Sequence, residues 1–373
     1  MLKRIYIDNY KCLINFELRL QELTLLVGRN GVGKTAVLDA VYALRRLLEG
    51  RSRVTDREVF PPSTLTRWQE REVQVYEVDI ELGEEQFAYR LEVEHNRRVR
   101  QARIRREVLG ANGRPLFEFE LGNVQLYRDD HSLGPTFTSD WKESALARVA
   151  VDKHNTRLCS FLEFMRNVLV CRLNPTGFAA EAAGEDQILA RDGSNFVDWY
   201  RHLLQERQDL AYKYTQVMRE VLDGLRGFQL EKIGIDTRAL VSVFGDRDNT
   251  QAYTFNELSD GQRVLTVLYA LISLTTDSGQ MIFLDEPVNF VGLSEIQPWL
   301  ISLNDACGTS IPQAVLASHH PEILDYLGAD RAILLSRDEA GPTRVEPLSE
   351  KVKHLAGNEF LRLSQVIARG WEG

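Results

Sequence analysis

The sequence predicts an α/β fold with a mixed central sheet, and three observations predict it. First, the apolar run Leu23–Val27, the glycine-rich stretch Gly28-Arg29-Asn30-Gly31-Val32-Gly33-Lys34-Thr35 and the helically spaced apolar residues of Ala36–Leu44 follow one another as strand, loop and helix. Second, Met281-Ile282-Phe283-Leu284 is a short continuous apolar run, the signature of a buried parallel strand, and it ends in Asp285-Glu286-Pro287. Third, Ala314–Ala317 is another such run, ending in Ser318-His319-His320-Pro321 ahead of a helix at 322–327.

Composition bounds the rest. With 373 residues, 44% hydrophobic and 27% charged, the chain can form two lobes or one large α/β domain. A net charge of -9 argues against a surface that is basic all round, so any nucleic-acid contact would be local or made through a partner. No window approaches the roughly 18 apolar residues of a membrane span, and Met1–Asp8 alternates like a strand, so a cytoplasmic protein without membrane contact is expected. The cysteines Cys12, Cys159, Cys171 and Cys307 lack CxxC spacing, which fits reduced packing thiols and no zinc site.

Along the chain, residues 3–8 and 14–20 alternate at period two and precede the glycine loop as strands with one wet face. The loop helix ends near Gly50, and a polar stretch containing Pro61-Pro62 reads as an exposed loop to about Gln69. Strand character returns at 72–82 and 86–94, joined by a turn at Gly83-Glu84-Glu85, and a third hairpin arm follows. Arg97, Arg98, Arg100, Arg103, Arg105 and Arg106 crowd that arm. It reads either as a solvated edge whose charge discourages sheet pairing or as a strip that grips phosphates. Residues 110–150 are turn-rich and yield no assignment. Helical spacing is clear over 158–170 and from Asn195 to about Leu225 with Ser194 as N-cap, and strands are expected at 228–235 and 240–244. The turn Asp277-Ser278-Gly279-Gln280 leads into the acid-tipped strand.

These stretches carry chemistry. Gly28–Thr35 fits the phosphate-loop pattern GxxxxGK[ST]: glycines let backbone N–H groups turn toward phosphate oxygens, Lys34 places a charge on the β/γ-phosphates, and Thr35 offers a hydroxyl to Mg²⁺. Acids at a strand's carboxyl end face the ligand crevice of an open sheet. Asp285 there suits Mg²⁺, and Glu286 suits orienting or deprotonating an attacking water. Leu258-Ser259-Asp260-Gly261-Gln262 opens another apolar helix, which Ser259 or Asp260 can cap, and the capped terminus doubles as an anion site. A histidine at a strand end, as His319 is, can donate to a phosphate oxygen.

Together, Gly28–Thr35, Leu258–Gln262, Met281–Pro287 and His319 resemble the Walker A, signature, Walker B and switch-histidine motifs of ABC ATPases, in that family's order. The opening Ile7-Asp8-Asn9-Tyr10-Lys11-Cys12-Leu13 resembles the "NFKSF"-like start of the SMC and RecF branch, and Leu189–Asn195 resembles a segment of its compact prokaryotic members, related to the ATPase part of the overcoming-lysogenization-defect proteins. The resemblance implies a phosphate-loop ATPase of ABC/SMC head type, with an antiparallel β subdomain and a helical lobe beside the central sheet. Residues 1–110 would form the lobe with Walker A, 111–250 a helical insert, and 251–373 the lobe with signature, Walker B and histidine. Asp260 stands where the family's LSGGQ has its first glycine, Val288–Leu293 keeps only Asn289 of the family's continuation, and no glutamine stands in a Q-loop context.

The same resemblance implies ATP and Mg²⁺ as ligands. Asn30, Gly31, Val32, Gly33, Lys34, Thr35 and Ala36 would cradle the phosphates, Thr35 and Asp285 the metal, and Glu286, His319 and Lys34 would serve hydrolysis. Two copies would sandwich ATP, alone or within a higher oligomer, Ser259 and Gly261 of one touching the γ-phosphate held by the other. The expected role is the sensor or motor of a bacterial anti-phage system with an effector partner, a nuclease or toxin, since the stretch after His319 is short for a TOPRIM nuclease domain. Two alternatives stand beside it: a RecF-like DNA-repair ATPase gripping duplex through Arg97, Arg98, Arg100, Arg103 and Arg105, and an ATP-dependent clamp or scaffold with little turnover.

Overall fold

The computed structural model describes residues 1–246, 249–275, 278–338, 341–347 and 362–368. The chain divides into two compact units, one built on Met1–Val168 and the segment that returns from Ala329, the other on Leu169–Gly328.

The first unit opens with β1 (Leu2–Asp8), β2 (Phe16–Arg19) and β3 (Leu23–Val27), followed by α1 (Lys34–Leu48). β1 alternates between buried and open positions, whereas all five residues of β3 are buried, as the unbroken apolar run requires. Beyond the polar loop come β4 (Val73–Leu82), β5 (Glu85–Asn96), β6 (Gln101–Ala111), β7 (Arg114–Glu120), β8 (Asn123–Tyr127) and β9 (Leu133–Thr138). They join β1 and β2 in an antiparallel sheet of order β2-β1-β4-β5-β6-β7-β8-β9. Three of these strands occupy the stretch that the sequence left unassigned. Their turns are made by left-handed residues, Asn112 (φ 51°) with Gly113 (φ 75°) and Leu121 (φ 47°) with Gly122 (φ 94°), the backbone that two-residue hairpins demand.

Helix α2 (Thr156–Arg166) stops at Asn167, and Val168–Cys171 is a strand, β10, with all four residues buried. The expected helix over 158–170 therefore overran: its last residues are a short apolar run with two valines, which periodicity cannot tell from a buried helix turn. In the second unit, after the two-residue β11 (Glu181–Ala182), the expected helix from Asn195 is two, α3 (Phe196–Glu206) and α4 (Gln208–Val221), broken at Arg207 (φ -136°, ψ 60°). Asn195, not Ser194, stands at the N-cap of the first, with no side-chain cap bond. An antiparallel sheet of β12 (Leu225–Lys232), β13 (Arg238–Gly245) and β14 (Thr250–Thr254) precedes α5 (Asp260–Ser273), β15 (Met281–Asp285), α6 (Leu293–Ala306), β16 (Ala314–Ala317) and α7 (Pro321–Arg331). Asp277, expected in the turn before β15, lies outside the described residues. β15 runs parallel to β16, register Asp285↔Ala317, and is flanked by β10. The chain then returns to the first unit as β17 (Ala332–Arg337), parallel to β3, and β18 (Thr343–Pro347), antiparallel to β17.

Among the described residues no helix is long and apolar enough to cross a membrane. Cys12 and Cys171 are buried, Cys159 and Cys307 half-buried, and none of the four is in a disulfide.

Candidate functional site

In the first unit, β3 delivers the chain into a loop that only glycine can shape. Gly28, Gly31 and Gly33 have φ of 149°, 85° and 113°. A Cβ at Gly28 would collide with the Leu335 carbonyl, and one at Gly33 would stand 2.8 Å from Thr343 Oγ1 and 2.9 Å from Cys12 Sγ. Gly31 differs: a Cβ there meets nothing within 4 Å, so it is the left-handed backbone, not crowding, that favours glycine at this position. The underside is fixed by Thr343 Oγ1 donating to Val32 O (2.6 Å) and Thr343 N donating to Cys12 O (3.0 Å). Helix α1 starts directly from Gly33 with no side-chain cap, so its first N–H groups are offered to an anion together with the positive end of the helix dipole. The Lys34 ammonium, 6% exposed, donates to Gly28 O (2.7 Å) and Arg29 O (3.4 Å), and spans the loop. Backbone donors, an uncapped helix and a lysine fit a nucleotide's phosphates, and the Thr35 hydroxyl is a hard oxygen donor of the kind Mg²⁺ takes. Lys11, from the opening segment, pairs with Asp39 of α1.

The second unit gathers the strand-end acids and the histidine. Asp285 closes β15 and is almost fully buried. Glu286, one residue on, has a left-handed backbone (φ 48°), which costs a β-carbon residue of order 1–3 kcal/mol and persists only where its surroundings enforce it. They do: Glu286 N donates to Ala317 O (2.8 Å), Ser318 Oγ donates to Glu286 Oε2 (3.1 Å), and His319 reaches the same carboxylate through N (3.4 Å) and Nδ1 (2.7 Å to Oε1). Because a carboxylate only accepts, Nδ1 carries the proton in this bond, and the imidazole as a whole is largely exposed. His320 does different work. Its Nδ1 accepts from Glu322 N (3.3 Å) at the start of α7, and burial, with the neighbouring His319, holds its pKa below the usual histidine range.

Helix α5 is capped by Ser259, not Asp260: Gln262 N donates to Ser259 Oγ (3.2 Å) and Ser259 N to Gln262 Oε1 (3.0 Å). Asp260 instead pairs with Arg263, whose Nη1 donates to Pro175 O (2.8 Å). A Cβ on Gly261 would lie 2.8 Å from Phe290 O, so this glycine lets the helix start pack against the loop that follows the acids. Asn30 and Val32 belong to the first-unit loop and Ala36 to α1; Ser259, Gly261, Asp285, Glu286 and His319 belong to the second unit.

Two residues that sequence reasoning passed over complete the acid corner. Ser318, fully buried, ties Glu286 to His320, whose N donates to Ser318 Oγ (3.1 Å). Arg172 follows β10 and brings Nε to 3.8 Å from Asp285 Oδ2, while its N donates to Arg191 O (2.7 Å) in the Leu189–Asn195 segment. The signal for Arg172 was the apolar run Val168–Cys171 directly before it. The arginine strip is divided. Arg97 donates to Thr66 O, Gln69 O and Arg71 O, and Arg103 pairs with Glu94 (2.6 Å) and lies over Trp141, whereas Arg98, Arg100, Arg105 and Arg106 are exposed.

A glycine-built phosphate loop ahead of a helix, with acid-tipped and histidine-tipped parallel strands, defines an ABC/SMC-like AAA ATPase. Residues 23–325 match the AAA_21 family, described as "AAA domain, putative AbiEii toxin, Type IV TA system", and the chain belongs to it. Similar solved structures are an SMC head bound to the C-terminal winged-helix domain of ScpA (TM-score 0.60, 11% identity, 94% of this chain and 99% of that one) and an SMC head with an extended coiled coil bound to the C-terminal domain of ScpA, from Pyrococcus furiosus (TM-score 0.55, 10% identity, 95% and 98%). At such identity the likeness is one of fold. No curated protein matches the sequence.

Proposed function

We propose that the chain hydrolyses ATP as a dimer assembled around the nucleotide and serves as the sensor or motor of a bacterial anti-phage system. The observation that carries the hydrolysis reading is Glu286, kept in a strained left-handed conformation with its carboxylate gripped by Ser318 and His319. Strain kept at a strand end beside a buried aspartate is what a pre-positioned base requires. In this reading the loop N–H groups and Lys34 hold the phosphates, and Thr35 and Asp285 hold Mg²⁺, which supplies neutralisation of phosphate charge. Glu286 takes a proton from the attacking water, and His319, bound to that carboxylate through Nδ1, orients the base beside the γ-phosphate. Ser259 and Gly261 of a second copy close over it, with the capped start of α5 supplying the anion-binding end.

The family's toxin–antitoxin description supports a defence role with an effector partner. A DNA-repair role draws less support, because Arg97 and Arg103 are engaged within the chain and leave Arg98, Arg100 and Arg105 for phosphates. The test is phosphate release and light-scattering mass of the purified chain with ATP. Lys34→Ala is expected to lose binding, and Glu286→Gln to bind ATP, cease turnover and accumulate as a dimer. Unchanged turnover in both variants overturns the reading; a monomer in every nucleotide state overturns the dimer.

A further inference from the structure

Beside the phosphate loop, the first unit carries an aromatic–guanidinium pair that the hydrolysis reading does not use. Trp68 stands in the polar stretch after Pro61-Pro62 and leaves 43% of its surface open, an unusual cost for an indole surrounded by Arg67, Gln69 and Glu70. The Arg337 guanidinium lies over its ring, 5.0 Å from the centroid. Arg337 ends β17, which runs parallel to β3 in register Leu334↔Val27, so both strands arrive at the same edge, one entering the glycine loop and the other ending in this arginine. There Arg337 Nη1 donates to Gly31 O (3.4 Å) and Nε to Gly341 O (2.8 Å).

The tryptophan is also held in place. Arg97 Nη2 clamps the carbonyls of Thr66 (3.2 Å), Gln69 (2.6 Å) and Arg71 (3.4 Å) around it. Arg71 pairs with Asp8 at the end of β1 (2.7 Å), and Thr66 N donates to Asn9 O (3.3 Å). An exposed indole fixed on both sides, with a planar cation already layered on it and touching the phosphate loop, has the form of a stacking platform. Ligands of open α/β sheets lie across the carboxyl ends of the strands. A phosphate chain seated on Gly31–Thr35 thus has this pair beside it.

We infer that Trp68 and Arg337 form the nucleobase platform of the nucleotide whose phosphates the glycine loop holds, an assignment that rests on the nucleotide reading above. Both faces of such a layer accept a π system, and stacking gains affinity without reading the base edge. Purine triphosphates are therefore favoured by ring area, with ATP and GTP bound alike and CTP more weakly.

The test is calorimetric titration of the full chain, with Mg²⁺, by ATP, GTP, CTP and inorganic tripolyphosphate, which has the phosphates and no base. Trp68→Ala is expected to weaken ATP about 10- to 100-fold, the range of one lost base–aromatic stack, and to leave tripolyphosphate within about twofold. Trp68→Phe should restore most of the loss, and ATP but not tripolyphosphate should quench the Trp68 emission, with Trp68→Phe giving the background of the other tryptophans. Equal loss for ATP and tripolyphosphate in Trp68→Ala, or no loss for ATP, overturns the platform. A wild-type chain that binds neither ligand, or a Lys34→Ala variant that binds both normally, overturns instead the assignment of the loop, and the platform with it.

Discussion

Two glutamates, one in each unit, are gripped by a serine hydroxyl and by backbone N–H groups, yet they differ in burial and in backbone strain. Glu107 of β6 is fully buried, and accepts from Tyr89 OH (2.9 Å), Ser144 Oγ (2.6 Å), Ala145 N (3.1 Å) and Leu146 N (3.3 Å). It pins the turn at 144–146 to the large sheet; burial pushes its pKa up, and those same donors pull against that rise. Glu286 is half-buried, has a strained backbone, and shares its carboxylate with an exposed histidine. The first carboxylate is satisfied from all sides by an unstrained site, so it contributes order. The second keeps an open flank and an exposed partner, as the proposed base role requires. The two differ in residual exposure and backbone strain, and it is on that difference that the proposed base role of Glu286 rests.

Five experiments sharpen or break that contrast. The largest effect is expected for Glu286→Gln, which should lower turnover about 10²- to 10⁴-fold, the range of a lost general base, while urea denaturation shifts little. Glu107→Ala should do the reverse: about 3 kcal/mol of stability lost, because buried donors are stranded, with nucleotide affinity unchanged when measured well below the melting temperature. A comparable loss of turnover from both substitutions would erase the distinction.

The serines come next. Ser318→Ala frees one side of the Glu286 carboxylate and is expected to reduce kcat about tenfold, an effect of order 1.4 kcal/mol, at nearly constant KM. Ser144→Ala should cost about 1 kcal/mol of stability and leave kcat alone. The smallest effect concerns pH. Glu107 holds its proton more tightly in the folded chain than in the unfolded one. Its contribution is therefore complete below the ordinary carboxylate pKa and declines as pH rises through the raised value. Glu107→Gln should flatten that decline in melting temperature between acid and neutral pH; an unchanged slope would show that another group sets it.

How much of this was legible varies with the range of the interaction. The glycine loop was readable because its neighbours in sequence are its neighbours in space: β3, loop and α1 are consecutive, and the backbone angles that glycine supplies are local. The acid-tipped and histidine-tipped strands were readable for the same reason, as was the start of α5, with Ser259 and Asp260 both open as its cap. The Asn112-Gly113 hairpin carried a local signal as well and could have revealed β6–β7. What escaped was set by pairing across long separations. The end of α2 and the start of β10 look alike in hydrophobicity, and only the place of β10 beside β15 makes Val168–Cys171 a strand. Arg172 gained its meaning only with that pairing, which brings its guanidinium to Asp285.

The sequence by itself determined the class of protein, the glycine loop and the strand ends on which Asp285, Glu286 and His319 stand, because those depend on residue chemistry and short spacing. The tertiary structure alone decided how these groups are held. The register Asp285↔Ala317 brings Ser318 and His319 against Glu286 and enforces its left-handed backbone, and the parallel arrival of β17 beside β3 sets Arg337 between Gly31 and Trp68. Hydrogen-bond register between strands distant in sequence is fixed by which apolar faces are buried together, and that is a property of the whole packed chain.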